Sequence, residues 1–234
     1  MNNKYSNLIK IGLISLFNIN ICALEIVYEP RTPYIQENQN IITGLVATPL
    51  IKALENAKID YSLKKKPAKR HLKEIILNKK AMCVIGWFKN PQREQFAKFT
   101  KPLYQDKPMG ILTNIKSDIN NGIKINDLLN IDKVSILIKD SYSYGAFIDE
   151  RLKIVKVKKT KTSNIKMVSM IAKKRADFMF ISFEEAQEII KNHKYKNKIK
   201  FVTVTDLSKG NKRYLLCSKL VDDSIIEKLN RHIK

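Results

Sequence analysis

The chain has 234 residues, with 44 Lys and Arg against 22 Asp and Glu and a formal charge of +22. So basic a balance raises nucleic acid or anionic lipid as a partner, but 37 of the basic residues are Lys and 7 are Arg, beside 33 Ile, the bias of a genome poor in G and C. Nucleic-acid surfaces favour Arg forks and basic stripes with interleaved aromatics. Here the lysines are scattered and the densest runs, Lys64 to Lys66 and Lys156 to Lys161, fall at strand ends as solvated faces, so no nucleic-acid partner is expected.

Lys4 and Lys10 lie in a polar, positive segment, followed by the apolar run Ile11 to Phe17 and the small residue Ala23, the pattern of a cleaved signal peptide. The run is too short to span a bilayer, and Asn18 and Asn20 interrupt it, which argues against a core helix or a membrane anchor. Cys22 follows Ile21, where a lipid-attachment signal requires a small residue. The expectation is a soluble periplasmic chain starting at Leu24, of 211 residues and charge +20, enough for two modest lobes or one larger domain. Cys83 and Cys217 remain, compatible with one disulfide in an oxidising compartment, although Cys83 in an apolar strand reads equally as a buried thiol. His71, His193 and His232 form no metal-ligand spacing with a Cys, so no metal or cofactor is expected.

Strand-like and helix-like segments then alternate. Leu24 to Tyr28 reads as a strand, and Thr48-Pro49 opens a helix with Leu50, Ala53, Leu54 and Ala57 on one face. Tyr61 to Lys65 is a strand, Pro67 to Asn78 a helix, and Ala81 to Ile85 an apolar strand. After a hinge strand near Met109 to Thr113 the pattern restarts with a strand at Val134 to Ile138, a helix from Ser143 to Arg151 and a strand at Ile154 to Val157. A helix capped by Ser163 runs through Lys174, followed by strand Phe178 to Ile181 and helix Phe183 to Lys191. Strands at Phe201 to Val204 and Tyr214 to Cys217 and a helix from Asp223 to His232 complete the chain. This alternation predicts two α/β lobes with mainly parallel sheets, helices on both faces and a ligand site beyond the C-terminal strand ends. The lobes should be joined by ordered crossing strands, because no long Pro, Ser or Gly linker is present.

Three stretches carry a family likeness: Pro67-Ala68-Lys69-Arg70-His71-Leu72, the run from Cys83 to Glu94 with Gly86-Trp87-Phe88-Lys89-Asn90-Pro91-Gln92-Arg93, and Phe99 to Pro108. Ser141 to Gly145, Lys174 to Phe178, Ser182 to Ala186 and Arg213 to Ser218 extend it to nearly the whole chain after residue 23. The chain resembles the periplasmic solute-binding proteins of family 3, receptors for polar amino acids that feed ATP-driven importers. The resemblance implies a type 2 periplasmic-binding fold, with 24–108 and 208–234 in the first lobe and 109–207 in the second. It also implies a monomer that serves a membrane-embedded ABC permease, and no catalysis. It places Cys83 and Cys217 on central strands of one lobe, so that a disulfide between them becomes a candidate. Two departures stand out: Trp87 and Phe88 occupy positions where such receptors carry hydroxyls, and Ser182 stands where they carry a carboxylate for the ligand's ammonium.

The first candidate site residue is Arg93, whose guanidinium fork suits a carboxylate and which matches the family's carboxylate-binding Arg. The alternative is a surface Arg paired with Glu94. Gly86 ends a strand, from which Trp87 either projects a stacking face into the cleft or plugs the lobe core, with Phe88 beside it. Tyr28, Glu29 and Tyr34 flank the end of the first strand, and Glu29 would answer a cationic group. Arg70 reads as an anion ligand near a helix N-terminus or as a solvated residue. Ser143 and Tyr144 would offer hydroxyls and N–H groups at a helix start. Glu184 reads equally as a cation partner and as the favourable acid of a helix's first turn. No nucleophile-base set, metal motif or phosphate loop is legible. A periplasmic sensor or interaction protein, and less readily a small enzyme on the same fold, stand as alternatives to the receptor.

Overall fold

The computed structural model describes residues 23–234 apart from 141, 193 and 208. Nearly all of the expected signal peptide, together with Ser141 and His193, lies outside the described residues.

The first lobe is built from β1 (Leu24–Tyr28), a hairpin of β2 (Gln36–Asn38) and β3 (Ile41–Thr43), α1 (Ala47–Asn56), β4 (Tyr61–Lys65), α2 (Ala68–Leu77), β5 (Met82–Phe88), α3 (Pro91–Glu94) and β6 (Ala97–Gln105). The second contains β7 (Gly110–Asn114), α4 (Ile125–Leu129), β8 (Ile136–Lys139), α5 (Ala146–Arg151), β9 (Val157–Thr160), α6 (Asn164–Ala172), β10 (Phe178–Ile181), α7 (Phe183–Lys191) and β11 (Ile199–Thr203). The chain then returns through β12 (Lys212–Ser218) and α8 (Asp223–His232). The first sheet has the order β4-β1-β5-β12-β6 and the second β11-β7-β10-β8-β9.

Alternation within each strand explains the layering. In β1, Ile26 packs with Leu50, Ala53 and Leu54 of α1, while its neighbour Val27 faces Ile75 of α2 and Met82 and Val84 of β5. A strand covered on both faces must be apolar throughout, as Leu24-Glu25-Ile26-Val27-Tyr28 nearly is. β12 repeats the device, with Leu215 and Cys217 on the α1 side and Leu216 on the α2 side. Cys83 and Cys217 sit opposite each other across β5 and β12, and their sulfurs are bonded at 1.98 Å.

In each sheet the βαβ portion pairs in parallel, whereas β12 and β7 enter antiparallel to both neighbours. The sheets are therefore mixed rather than mainly parallel. A parallel strand needs a helical crossover before it, and the strands next to the lobe crossings have none. The two crossings touch: Asp106 N–H donates to the Asn211 carbonyl at 3.0 Å. A Cβ on Gly210 would fall 1.7 Å from the Asp106 carbonyl oxygen, so this close approach requires glycine.

Some boundaries differ from expectation. The helix expected from Ser143 starts at Ala146, with Gly145 as its N-cap at φ 97°. The strand expected at Ile154 to Val157 lies at Val157–Thr160. The β2–β3 hairpin, the short α4 and β6 add elements that periodicity did not single out.

Candidate functional site

The C-terminal ends of β1 and β5 and the segment before α5 converge on a cavity of about 70 Å³ between the lobes. Glu29, Tyr34, Gly86, Trp87, Phe88 and Arg93 reach it from the first lobe, and Tyr142 and Ser143 from the second.

Arg93 is set by local chemistry. Pro91 opens α3, and the Asn90 side chain accepts from Arg93 N–H at 2.9 Å, capping the turn. The guanidinium donates to the Phe88 carbonyl at 2.6 Å and lies 4.9 Å from the Trp87 ring centre. Only 6% of the residue is exposed, yet among the described residues no carboxylate lies within 4.0 Å of it. Burial lowers its pKa to about 10, opposed weakly by Asp149. Asp149 is occupied elsewhere, accepting from the Ser143 hydroxyl at 2.5 Å and from Tyr144 N–H at 2.8 Å. A buried guanidinium with most of its donors unspent has the chemistry to receive an anion.

Trp87 is held from behind. Its indole N–H donates to His71 Nδ1 at 3.4 Å, and His71 Nε2 lies 2.8 Å from the Lys66 carbonyl. The carbonyl can only accept, so Nε2 carries the proton and Nδ1 is free to receive the indole. Burial pushes the His71 pKa down, favouring this neutral form. One part of Trp87 packs on the cluster of Val27, Ile75 and Val84 while another lines the cavity.

Toward the crossings the charges are paired. Arg213 grips Asp106 through two bonds of 2.7 Å and donates to the Ser182 hydroxyl at 3.0 Å, its guanidinium stacked 3.6 Å from the Tyr34 ring centre. Burial raises the Asp106 pKa, and Arg213 offsets that only in part. Arg31, in the loop after β1, pairs with Glu185 of α7 at 2.5 Å, and Asn164 donates to the other Glu185 oxygen at 2.6 Å. Burial alone would raise the Glu185 carboxyl, but the Arg31 guanidinium, with Asn164 and Arg213, more than reverses this and holds it below the ordinary carboxylate value. Glu184 accepts from the Tyr104 hydroxyl at 2.9 Å, Lys107 N–H at 2.7 Å and the Tyr34 hydroxyl at 3.3 Å. Phe88 packs against the apolar cluster of the second lobe. These contacts between the protein's own residues join the lobes.

Of the residues singled out from sequence, Glu29, Tyr34, Gly86, Trp87, Phe88, Arg93 and Ser143 meet at the cavity. Tyr28 is buried in the first-lobe core with its hydroxyl on Glu37 at 3.0 Å. Arg70 is exposed on α2. Tyr144 is buried, its hydroxyl accepting from Lys139 N–H at 2.7 Å, and Glu184 faces the crossings instead of the cavity wall. Because Ser143 and Tyr144 precede α5, their N–H groups are not those of a helix N-terminus. Arg31, His71, Tyr142 and Arg213 also line the cavity. Arg213 had a weaker signal, a charge beside Lys212 at the start of the apolar run Tyr214 to Cys217. His71 had another, lying four residues before the buried Ile75 on one helix face.

Among the described residues no cluster of His, Cys, Asp and Glu is placed to hold a metal, and no helix is long and apolar enough to cross a membrane. No known family and no curated protein matches the sequence. Solved structures do match. The chain is similar to the BvgS periplasmic domain of B. pertussis at 14% identity and TM-score 0.72, over 90% of this chain and 39% of that one. It is similar to the arginine-, lysine-, histidine-binding protein ArtJ of Geobacillus stearothermophilus at 16% identity and TM-score 0.71, over 91% and 88% of the two chains. The GluR0 ligand-binding core of Nostoc punctiforme, solved with L-glutamate, gives 14% identity and TM-score 0.69, over 90% and 91%. At such identities the likeness is one of fold: this chain adopts the two-lobed α/β architecture of these binding domains.

Proposed function

We propose that the protein is a periplasmic solute-binding protein that captures a small polar ligand by seating its carboxylate on Arg93. The observation that carries this reading is a guanidinium 6% exposed, fixed by the Asn90 cap, facing a cavity and lacking an acid partner among the described residues. A desolvated cation without a counter-charge is costly, and a ligand carboxylate is what relieves it. Trp87, Phe88 and Tyr34 would pack against the rest of the ligand, and Ser143 would contact it from the second lobe. The charged, apolar and small-residue pattern of residues 1–23 supports export, and delivery to an ABC permease by a monomer follows the family likeness. We read the protein as a receptor rather than an enzyme, since on the cavity wall Glu29 accepts from Ala68 N–H and His71 is held between the Lys66 carbonyl and the Trp87 indole.

A second reading, a periplasmic sensor without transport, is favoured by one observation: the lobes are already joined by Arg31–Glu185, by the Glu184 contacts and by Phe88. Mass spectrometry of small molecules co-purified with the protein, followed by calorimetry with the ligand found, tests both. Arg93→Ala should weaken binding tenfold to a thousandfold, since truncating one partner of a desolvated pair costs about 2–5 kcal/mol. Unchanged affinity in a folded variant rules the reading out. A ligand recovered chemically altered would make the protein an enzyme.

A further inference from the structure

We propose that the anion taken at Arg93 is a short-chain carboxylate that carries no ammonium group. This narrows the ligand class of the Arg93 site and rests on that reading of it.

Counter-charge decides first. An ammonium brought into a closed cleft needs a carboxylate or a set of acceptors in exchange for its water. The buried acids near the cleft are already spent on the protein's own donors: Asp106 on Arg213, Glu185 on Arg31 and Asn164, and Glu184 on two tyrosine hydroxyls and Lys107 N–H. Ser182, at the N-cap of α7, accepts from Arg213. Glu29, the acid on the cavity wall, holds Ala68 N–H at the start of α2 at 3.1 Å and remains half-exposed. An ammonium beside Arg93 would add a second buried cation to one that already lacks a partner. A carboxylate alone neutralises the site.

Size and wall chemistry agree. One water needs roughly 10–15 Å³ of such space, so a cavity of about 70 Å³ has room for a molecule of about propionate's size. Ile35, Ala68, Ile85, Trp87 and Phe88 supply an apolar wall for a short alkyl chain.

The test is titration calorimetry of the purified protein with propionate, L-alanine and L-arginine, repeated on Arg93→Ala and on Arg93→Gln, the latter keeping a donor for the Phe88 carbonyl. Thermal unfolding checks that each variant folds. The expected result is that propionate binds at least tenfold more tightly than alanine, that arginine gives no heat, and that both variants lose at least tenfold in propionate affinity. Alanine or arginine binding as tightly as propionate, with affinity still lost in the variants, overturns the ammonium-free class and leaves Arg93 as the anion site. Failure of all three to bind, or binding insensitive to both variants, overturns the class and the Arg93 reading together.

Discussion

The two ends of the cleft treat buried charge in opposite ways. At the crossings Arg213 is paired with Asp106, Arg31 is paired across the cleft with Glu185, and Glu184 accepts from Tyr104 and Lys107 N–H. At the Trp87 end Arg93 is buried as deeply as Arg213 is, at 6% against 3% exposure, with no acid among the described residues within 4.0 Å of it. The same side chain, equally dry, therefore serves two purposes. Paired guanidinium ties the chain's distant segments together, and the Arg93 guanidinium keeps donors that no acid among the described residues meets.

The largest effect should follow from breaking a pair. Asp106→Ala leaves Arg213 buried without its carboxylate, which should cost about 3–5 kcal/mol of stability, read by denaturant unfolding. Arg93→Met, by contrast, removes a charge that has no acid to lose. Its stability should stay within about 1 kcal/mol of the parent or exceed it, because apolar replacement of a buried charge is often neutral or stabilising. If Arg93→Met destabilises as much as Asp106→Ala, the two ends do not differ in the way described.

A smaller effect is expected at the outer latch. Arg31→Ala strands Glu185 in the interface, and separation of the lobes returns it to water, so the ligand-free variant should show a larger radius of gyration by small-angle scattering. An unchanged profile would mean that Glu184 and Phe88 suffice to hold the lobes together.

The smallest effect is a separation of the two ends by pH. His71 has a depressed pKa, so its contribution is complete above the ordinary value of 6.5 and is lost as pH falls through the folded-state value. Protonation places a hydrogen on Nδ1 and expels the Trp87 indole N–H. Glu185 is depressed too, and the latch is complete above the ordinary carboxylate value of 4.5 and lost below it as pH falls through the lower folded-state value. Fluorescence of Trp87, the only tryptophan, should therefore respond to protonation of His71 below 6.5 and the radius of gyration to protonation of Glu185 below 4.5. His71→Gln, which cannot titrate, should remove the first transition and keep the second. Coincident transitions in the parent would show both ends opening as one unit.

The alternating apolar segments by themselves determined the two α/β lobes, because a strand covered on both faces and a helix with one buried face each leave a local pattern, as Leu24 to Tyr28 and Leu50 to Ala57 do. Asn90-Pro91-Gln92-Arg93 was legible for the same reason, its cap and its first-turn proline being neighbours in sequence. Partnership across the cleft was not. Arg31 and Glu185 are 154 positions apart and Asp106 and Arg213 are 107 apart, so only the tertiary structure decided that Glu184 is committed to the crossings and that Arg93 is not paired. Whether a charge is satisfied depends on which distant groups the fold brings within hydrogen-bond reach, and no local spacing encodes that.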